Sequence, residues 1–254
     1  MRSRLRPIVV IPTRLGSTRL PGKALTEIAG EPMIVHVWRR GQEADIGPVL
    51  VAAGDREIAE VIRAAGGQAV LTDPALPTGS DRVQSALAKA DPDQRHDVVV
   101  VLQGDLPTID SGVLRATLPP LADSEVSIST LATLITDPLE LQAPQVVKIA
   151  LAIPEGAVSG RALYFSRAVI PGGAGPYYHH VGLYTYRRAA LERYVRLPRG
   201  VLEVRENLEQ LRALEGGMRI DATVIEAEPL GVDTLGDLER ARAMLGCRPP
   251  RPAA

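Results

Sequence analysis

Between residues 7 and 102, four short apolar runs alternate with stretches whose apolar residues recur at helical spacing. The runs are Pro7 to Ile11, Pro48 to Ala52, Gln68 to Leu71 and Val98 to Leu102. Strands so short and so continuously apolar are buried on both faces, as parallel strands covered by helices are. The stretches between them, Pro32 to Ala44, Asp55 to Ala65 and Ser80 to Lys89, read as helices. The first has proline in its opening turn, and Gly66-Gly67 ends the second. This alternation predicts an α/β fold in which helices flank a parallel sheet.

After about Ser124 the pattern lengthens. Val126 to Leu134 and Val146 to Ile153 suit antiparallel strands, so the sheet is predicted to be mixed but mostly parallel. Two helices follow, Ala189 to Arg196 and Glu203 to Glu215, then a strand Met218 to Ala227 and a last helix Leu235 to Leu245. Seven of the eight aromatic residues fall between Tyr164 and Tyr194, which marks a second lobe. Stacking on a ligand is one reading of such a cluster, but core packing or a subunit interface is favoured. The proline-rich tail, 248–254, is expected to be disordered.

Composition narrows the function classes. With 29 basic and 30 acidic residues the net charge is −1, which argues against a basic nucleic-acid footprint. No apolar run approaches the roughly 20 residues that span a bilayer. The basic start Met1 to Arg6 resembles that of an export signal, but Pro12 and Arg14 interrupt the apolar stretch after it. The single cysteine, Cys247, excludes a disulfide framework and a cysteine-ligated metal, and a cytoplasmic location is expected.

The strand Ile8 to Ile11 runs directly into Pro12-Thr-Arg-Leu-Gly-Ser-Thr-Arg-Leu-Pro-Gly-Lys23. A loop with two glycines, hydroxyl residues, two arginines and a lysine at the end of a buried strand is suited to an anion, because backbone N–H groups converge there. A surface turn with solvated arginines is the blander alternative. The loop is not a Walker A sequence, since five residues separate Gly16 from Gly22 and Ala24 stands where a hydroxyl would be needed. Lys23 is one of only three lysines, against 26 arginines. At the end of the fourth run, Gln103-Gly-Asp105 places a carboxylate in a setting suited to a hard cation such as Mg²⁺. Gly231-Val-Asp-Thr234 repeats that setting, although Asp233 or Thr234 serves equally as the cap of the helix that follows.

Taken in order, these blocks resemble the 3-deoxy-manno-octulosonate (Kdo) cytidylyltransferase family over roughly residues 7 to 245. Besides the loop, Gln103-Gly-Asp105 and Gly231 to Thr234, they include Pro32-Met-Ile-Val-His-Val37 and Thr78-Gly-Ser-Asp-Arg82. Ala162-Leu-Tyr-Phe-Ser-Arg167, His180-Val-Gly-Leu-Tyr184 and Leu208-Glu-Gln-Leu-Arg212 make the resemblance specific to Kdo. It implies a Rossmann-like nucleotide-diphospho-sugar transferase fold with a small dimerisation and sugar-binding lobe. It also implies a Mg²⁺-dependent homodimer that converts CTP and Kdo to CMP-Kdo and pyrophosphate for lipopolysaccharide assembly.

On this chain the resemblance implies one domain over residues 1–247, with its nucleotide-binding part at about 7–123 and its sugar-binding and dimerisation part at about 124–230. Arg14 and Lys23 would meet the triphosphate beside Pro12, and Asp105 and Asp233 would hold Mg²⁺. Thr78, Gly79 and Ser80, with Arg82 next to them, would line the cytosine pocket. Gln103, His180, Tyr184, Glu209 and Gln210 would surround the sugar acid. The chain departs from the family pattern at Ala53-Gly54, where V-A-T-D is usual, and at Asp73, Leu76, Leu106 and Gln145.

No general base is named by the sequence: His180, where His179-His180 begins an apolar strand, is a candidate, and it reads equally as a residue that orients the sugar or one that satisfies a buried carbonyl. Glu203 and Glu206 are expected on an exposed helix face, and Gly172 to Pro176 reads as a lid or a plain surface loop. Two further readings stay open at this level. One is a related nucleotidyltransferase for another sugar acid or nucleotide, and the other is a nucleotide-binding protein without turnover.

Overall fold

The computed structural model describes residues 5–16 and 20–246. The expected disordered tail, Cys247 and part of the anion loop, 17–19, lie outside the described residues. In chain order the first elements are β1 (Pro7–Thr13), β2 (Glu27–Ile28), β3 (Glu31–Pro32), α1 (Met33–Glu43), β4 (Val49–Ala53), α2 (Arg56–Ala64), β5 (Gln68–Leu71), α3 (Gly79–Ala90), β6 (Val98–Val101) and α4 (Ser111–Arg115). There follow β7 (Ile128–Leu134), α5 (Pro138–Gln142), β8 (Lys148–Ala152), β9 (Ser159–Ser166) and β10 (Tyr178–Arg187). The last are α6 (Arg188–Tyr194), α7 (Val201–Glu206), α8 (Leu211–Glu215), β11 (Ile220–Ile225) and α9 (Leu235–Gly246).

These elements form two compact units. The first comprises the described parts of Pro7–Arg95, Val101–Leu114 and Pro229–Ala254. Its strands run parallel in the order β5-β4-β1, with Thr13 opposite Ala53 and Ala53 opposite Leu71 at the carboxyl ends. Residues 8 to 13 of β1 and all of β4 are buried, as their apolar runs require. Beyond β6 the Leu102 N–H donates to the Val10 carbonyl, so the segment that carries Gln103 to Asp105 leaves β1 on its side away from β4.

The second unit, formed by the described parts of Met1–Arg6, His96–Val100 and Arg115–Glu228, orders its strands β6-β10-β7-β11-β9-β8. Here β7 pairs parallel with β11, whereas β10 with β7, β11 with β9 and β8 with β9 are antiparallel. The sheet is therefore mixed, parallel in the first unit and mainly antiparallel in the second. Strand β9 has no counterpart among the strands expected from sequence. Its alternation is broken by a register shift against β8 between Ala150 and Leu151, which blurs a period-two signal.

Two expectations for the second unit are corrected. The stretch Glu203 to Glu215 is not one helix, because Asn207 adopts the left-handed conformation (φ 55°, ψ 48°) and separates α7 from α8. Asparagine tolerates that conformation better than most residues, and the reversal sends Leu208 into the core. Glu203 and Glu206 do not form an exposed face. Glu203 is 2% exposed and takes a two-pronged contact from Arg212, Nε to Oε2 at 2.7 Å and Nη2 to Oε1 at 2.5 Å. The Glu206 carboxylate accepts from Ser166 Oγ at 2.8 Å and from the Arg167 N–H at 3.1 Å, securing the end of β9.

Candidate active site

The first unit carries a cleft of about 370 Å³ at the carboxyl ends of its parallel strands, where open α/β sheets bind ligands. Its wall begins at Pro12 and Arg14, continues through Lys23, and is completed by Thr78, Gly79, Arg82, Gln103, Asp105 and Asp233. Of the residues expected to meet nucleotide or metal, the structure thus brings Pro12, Arg14, Lys23, Thr78, Gly79, Arg82, Asp105 and Asp233 together. Ser80 follows Gly79 in the first turn of α3.

At the centre lies Lys23. Gly22 enters the left-handed region (φ 70°), a conformation cheap only for glycine, and turns the chain into a short 3-10 segment, Lys23–Leu25. The ammonium lies 2.8 Å from Asp105 Oδ2 and 3.1 Å from Asp233 Oδ1. Burial alone would lower the Lys23 pKa, but attraction and hydrogen bonding to Asp105, then to Asp233, more than offset it, and the net shift is upward. One ammonium between two carboxylates leaves a net negative charge. The Asp105 and Asp233 side chains are 31% and 44% exposed, and hard oxygen donors of this kind suit a divalent cation that shares its shell with phosphate and water.

The second aspartate is placed by a division of labour with its neighbours. Thr234 caps α9, its hydroxyl accepting from the Asp237 N–H, while Asp237 Oδ2 accepts from the N–H groups of Asp233 and Thr234. The Asp233 carboxylate is therefore turned to Lys23 and is not the cap. The Val232 N–H donates to the Asp105 carbonyl at 2.9 Å, fastening the two aspartate segments side by side.

Arg82 is a buried strut. It is 3% exposed and donates to Thr72 Oγ1 at 2.6 Å and to the Asp73 carbonyl at 3.1 Å, holding the turn that leads to Leu76 and Thr78. Burial, then the like charge of Arg14, push its pKa down. Gly54 leaves space for it, since a Cβ there would lie 2.8 Å from Arg82 Nη1. Thr78 is occupied as the cap of α3, accepting from the Asp81 N–H, so the wall offers the first-turn N–H groups that follow it.

The residues expected around the sugar divide between the units. Gln103 lines the cleft of the first. His180, Tyr184, Glu209 and Gln210 belong to the second, where the aromatic cluster forms a chain of ring contacts. His180 to Tyr184 is 5.5 Å, Tyr184 to Tyr186 is 6.0 Å and Tyr186 to Tyr194 is 5.7 Å. Tyr194 then donates its hydroxyl to the Glu209 carbonyl at 3.1 Å, and Glu209 is exposed whereas Gln210 is buried. Burial, with Tyr186, Tyr194 and Glu209 nearby, holds the Tyr184 phenol well above its ordinary pKa, so it remains a hydrogen-bond donor.

His180 Nε2 lies 3.0 Å from Thr130 Oγ1, which is also 2.9 Å from the Leu183 carbonyl and 3.1 Å from that of Val181. A carbonyl only accepts, so the single threonine proton goes to one of them, and His180 Nε2–H donates to the hydroxyl. Burial, with a smaller effect of His179, pushes the His180 pKa down to about 3. A ring neutral when folded but titrating near 6.5 when unfolded makes the unfolded chain bind more protons between those values. Its stabilising contribution is thus full above about pH 6.5 and falls as the pH drops toward 3. Imidazole NMR signals of His180 are expected to stay flat from pH 5 to 8, and a midpoint near 6.5 would show the ring to be solvated instead.

Sequence reasoning passed over Asp55. It stands at the start of α2, yet its carboxylate accepts the Leu15 N–H at 2.7 Å, one residue from Arg14. An aspartate at the carboxyl end of a buried strand was the signal that singled out Asp105, and β4 presents the same signal at Asp55.

Residues 8–220 match a family model described as Cytidylyltransferase. The 3-deoxy-manno-octulosonate cytidylyltransferase of Rhodospirillum rubrum is 61% identical over 241 residues, covering 94% of this chain and 96% of the relative. That of Paramagnetospirillum magneticum is 58% identical over 241 residues, covering 95% and 98%. Among solved structures, that of CMP:2-keto-3-deoxy-manno-octonic acid synthetase complexed with CTP is similar at a TM-score of 0.87 and 36% identity, covering 95% of this chain and 98% of that one.

Proposed function

Because the chain belongs to the 3-deoxy-manno-octulosonate cytidylyltransferases, an enzyme family that activates Kdo with CTP, we propose a mechanism in which the Kdo anomeric hydroxyl attacks the CTP α-phosphorus in line. Pyrophosphate leaves and CMP-Kdo forms. Nucleotidyl transfer asks little covalent chemistry of a protein, so positioning and charge neutralisation carry the rate. The observation that carries this reading is the Lys23 ammonium held between Asp105 and Asp233 in the strand-end cleft.

Arg14 grips two phosphate oxygens through its planar fork, and Lys23 acts as a compact charge between phosphates. Asp105 and Asp233 are the residues that would hold Mg²⁺, which would supply charge neutralisation for the triphosphate. The first turn of α3, with Gly79 and Ser80, faces the base, and Gln103 lies at the cleft wall toward the reacting end. His180, Tyr184, Glu209 and Gln210 orient the sugar acid, His180 as a neutral ring. Exposed Leu163, Val201 and Val204 in the second unit support a homodimer. No described helix is long and apolar enough to cross a membrane. Use of CTP supports a cytoplasmic location.

Pyrophosphate release with Mg²⁺ tests the reading, comparing CTP with UTP, ATP and GTP and omitting sugar as control. Kdo-dependent release with CTP is expected. Release only with another nucleotide would move the specificity to the wall formed by Leu76 and Thr78, and no release with Kdo would overturn the proposal.

A further inference from the structure

Three features converge on the corner where β4 ends. The Gly54 N–H donates to the Thr13 carbonyl at 2.9 Å, and Asp55 Oδ2 accepts the Leu15 N–H at 2.7 Å. The backbone on both sides of Arg14 is thereby tied to two consecutive residues of another strand end. The Leu15 carbonyl in turn accepts the Gly22 N–H at 3.3 Å, so the same anchor closes the loop whose far end is Lys23. Although Asp55 is the residue before α2, its side chain makes no capping hydrogen bond to that helix. An acceptor that usually stabilises a helix start is committed to the loop instead.

Arg14 is exposed and lines the cleft, and among the described residues its guanidinium has neither a hydrogen bond nor an ion pair. A long side chain of this kind loses several rotatable bonds when it grips a ligand, so fixing its backbone reduces what binding must order. Space on the opposite side is tight: a Cβ at Gly54 would come within 3.0 Å of Arg14 Cβ and 2.8 Å of Arg82 Nη1. In this chain glycine fits the corner without displacing Arg14 or Arg82, and an acceptor follows it.

We propose that Asp55 is a positioning residue for triphosphate binding, acting through the Leu15 N–H to aim Arg14 into the cleft. This rests on the reading of the cleft as the CTP site. Asp55 touches no substrate itself; it sets the direction of a group that does.

The test is CTP binding measured by calorimetry with Mg²⁺, alongside KM and kcat, on the purified full chain. Asp55→Ala is expected to weaken CTP binding about 10-fold, the scale of one hydrogen bond to a charged acceptor, and to raise KM more than it lowers kcat. Asp55→Asn keeps an oxygen that can accept the Leu15 N–H and should recover most of that loss. The decisive comparison is the pair with Arg14→Ala. If Asp55 acts through Arg14, Asp55→Ala/Arg14→Ala binds CTP no more weakly than Arg14→Ala alone. Additive losses, or binding by Asp55→Ala equal to that of the parent, would overturn the proposal while leaving the CTP site intact. A parent protein that binds no CTP would instead remove the reading of the cleft, and this inference with it. Thermal midpoints of each variant separate lost binding from lost folding.

Discussion

Lys23→Ala is expected to lower turnover with CTP and Kdo at least about 100-fold, the scale on which enzymes lose rate when one preorganised electrostatic group is removed. The Lys23 side chain is 16% exposed, and its ammonium stands at 2.8 Å and 3.1 Å from two carboxylates. Its removal both deletes a positive charge from the triphosphate path and takes away the ammonium that bridges Asp105 and Asp233. Lys23→Arg should not restore the rate, because a planar fork cannot take the place of a compact charge bonded to two aspartates. Asp105→Asn should fall by a comparable factor, since the amide keeps the shape of the carboxylate and loses its charge. The upward shift of the Lys23 pKa means that its stabilising ion pairs persist below about pH 10.5 and are lost only as the pH rises through the still higher folded value. A turnover profile between pH 6 and 9 therefore does not report Lys23. Pyrophosphate release from folded variants checks this, and near wild-type rates would sink the assigned role.

Arg212→Met is expected to destabilise the protein by about 3 kcal/mol, the lower end of the cost of breaking a buried ion pair, because the exposed Arg199 still reaches the Glu203 carboxylate. Glu203, at 2% exposure, depends on the Arg212 fork, on the Gly200 N–H at 3.1 Å and on the exposed Arg199, whose Nε donates to Oε1 at 3.3 Å. The same guanidinium lies over the Tyr194 ring, 5.5 Å from its centroid, and Tyr194 holds the Glu209 carbonyl. Loss of Arg212 should thus also raise KM for Kdo through a displaced Glu209. Replacing both charges, Glu203→Met with Arg212→Met, is expected to recover much of the stability, as apolar substitutes of buried pairs often do. Urea unfolding measures both. Burial alone would raise the Glu203 pKa, but the Arg212 and Gly200 hydrogen bonds outweigh it and the net value lies below the ordinary one. The difference between parent and Arg212→Met is therefore largest above about pH 4.5 and shrinks as the pH falls through the folded pKa of Glu203. A single substitution that costs no more than an exposed pair, about 1 kcal/mol or less, would contradict the burial of Glu203.

Much of the first unit, and strand β6 of the second, was legible in the sequence. The apolar runs at Pro7, Pro48, Gln68 and Val98 became β1, β4, β5 and β6 within two residues at each end, and β1, β4 and β6 are buried as such runs predict, whereas β5, at the sheet edge, leaves Gln68 and Leu71 exposed. The placement of Asp105, and of the loop that leads from β1 to Lys23, at strand ends followed from the same runs. The second unit was less legible. Strand β9 shares its pattern with a register shift, and α7 and α8 look continuous until Asn207 reverses the chain.

What the sequence determined by itself was periodicity and punctuation: which segments are strands or helices, where glycine permits a turn, and which strand ends carry charge. These are local, since side chains repeat every two or 3.6 residues regardless of what lies opposite. Only the tertiary structure decided what each carboxylate does. Asp233 is free of the cap because Thr234 takes it, Glu203 is buried because Arg212 reaches it, and Asp55 serves a loop 40 residues earlier in the chain. Lys23 and Asp233 meet across 210 residues. Charges pair with whatever the fold brings within about 4 Å, a distance that no spacing along the chain encodes.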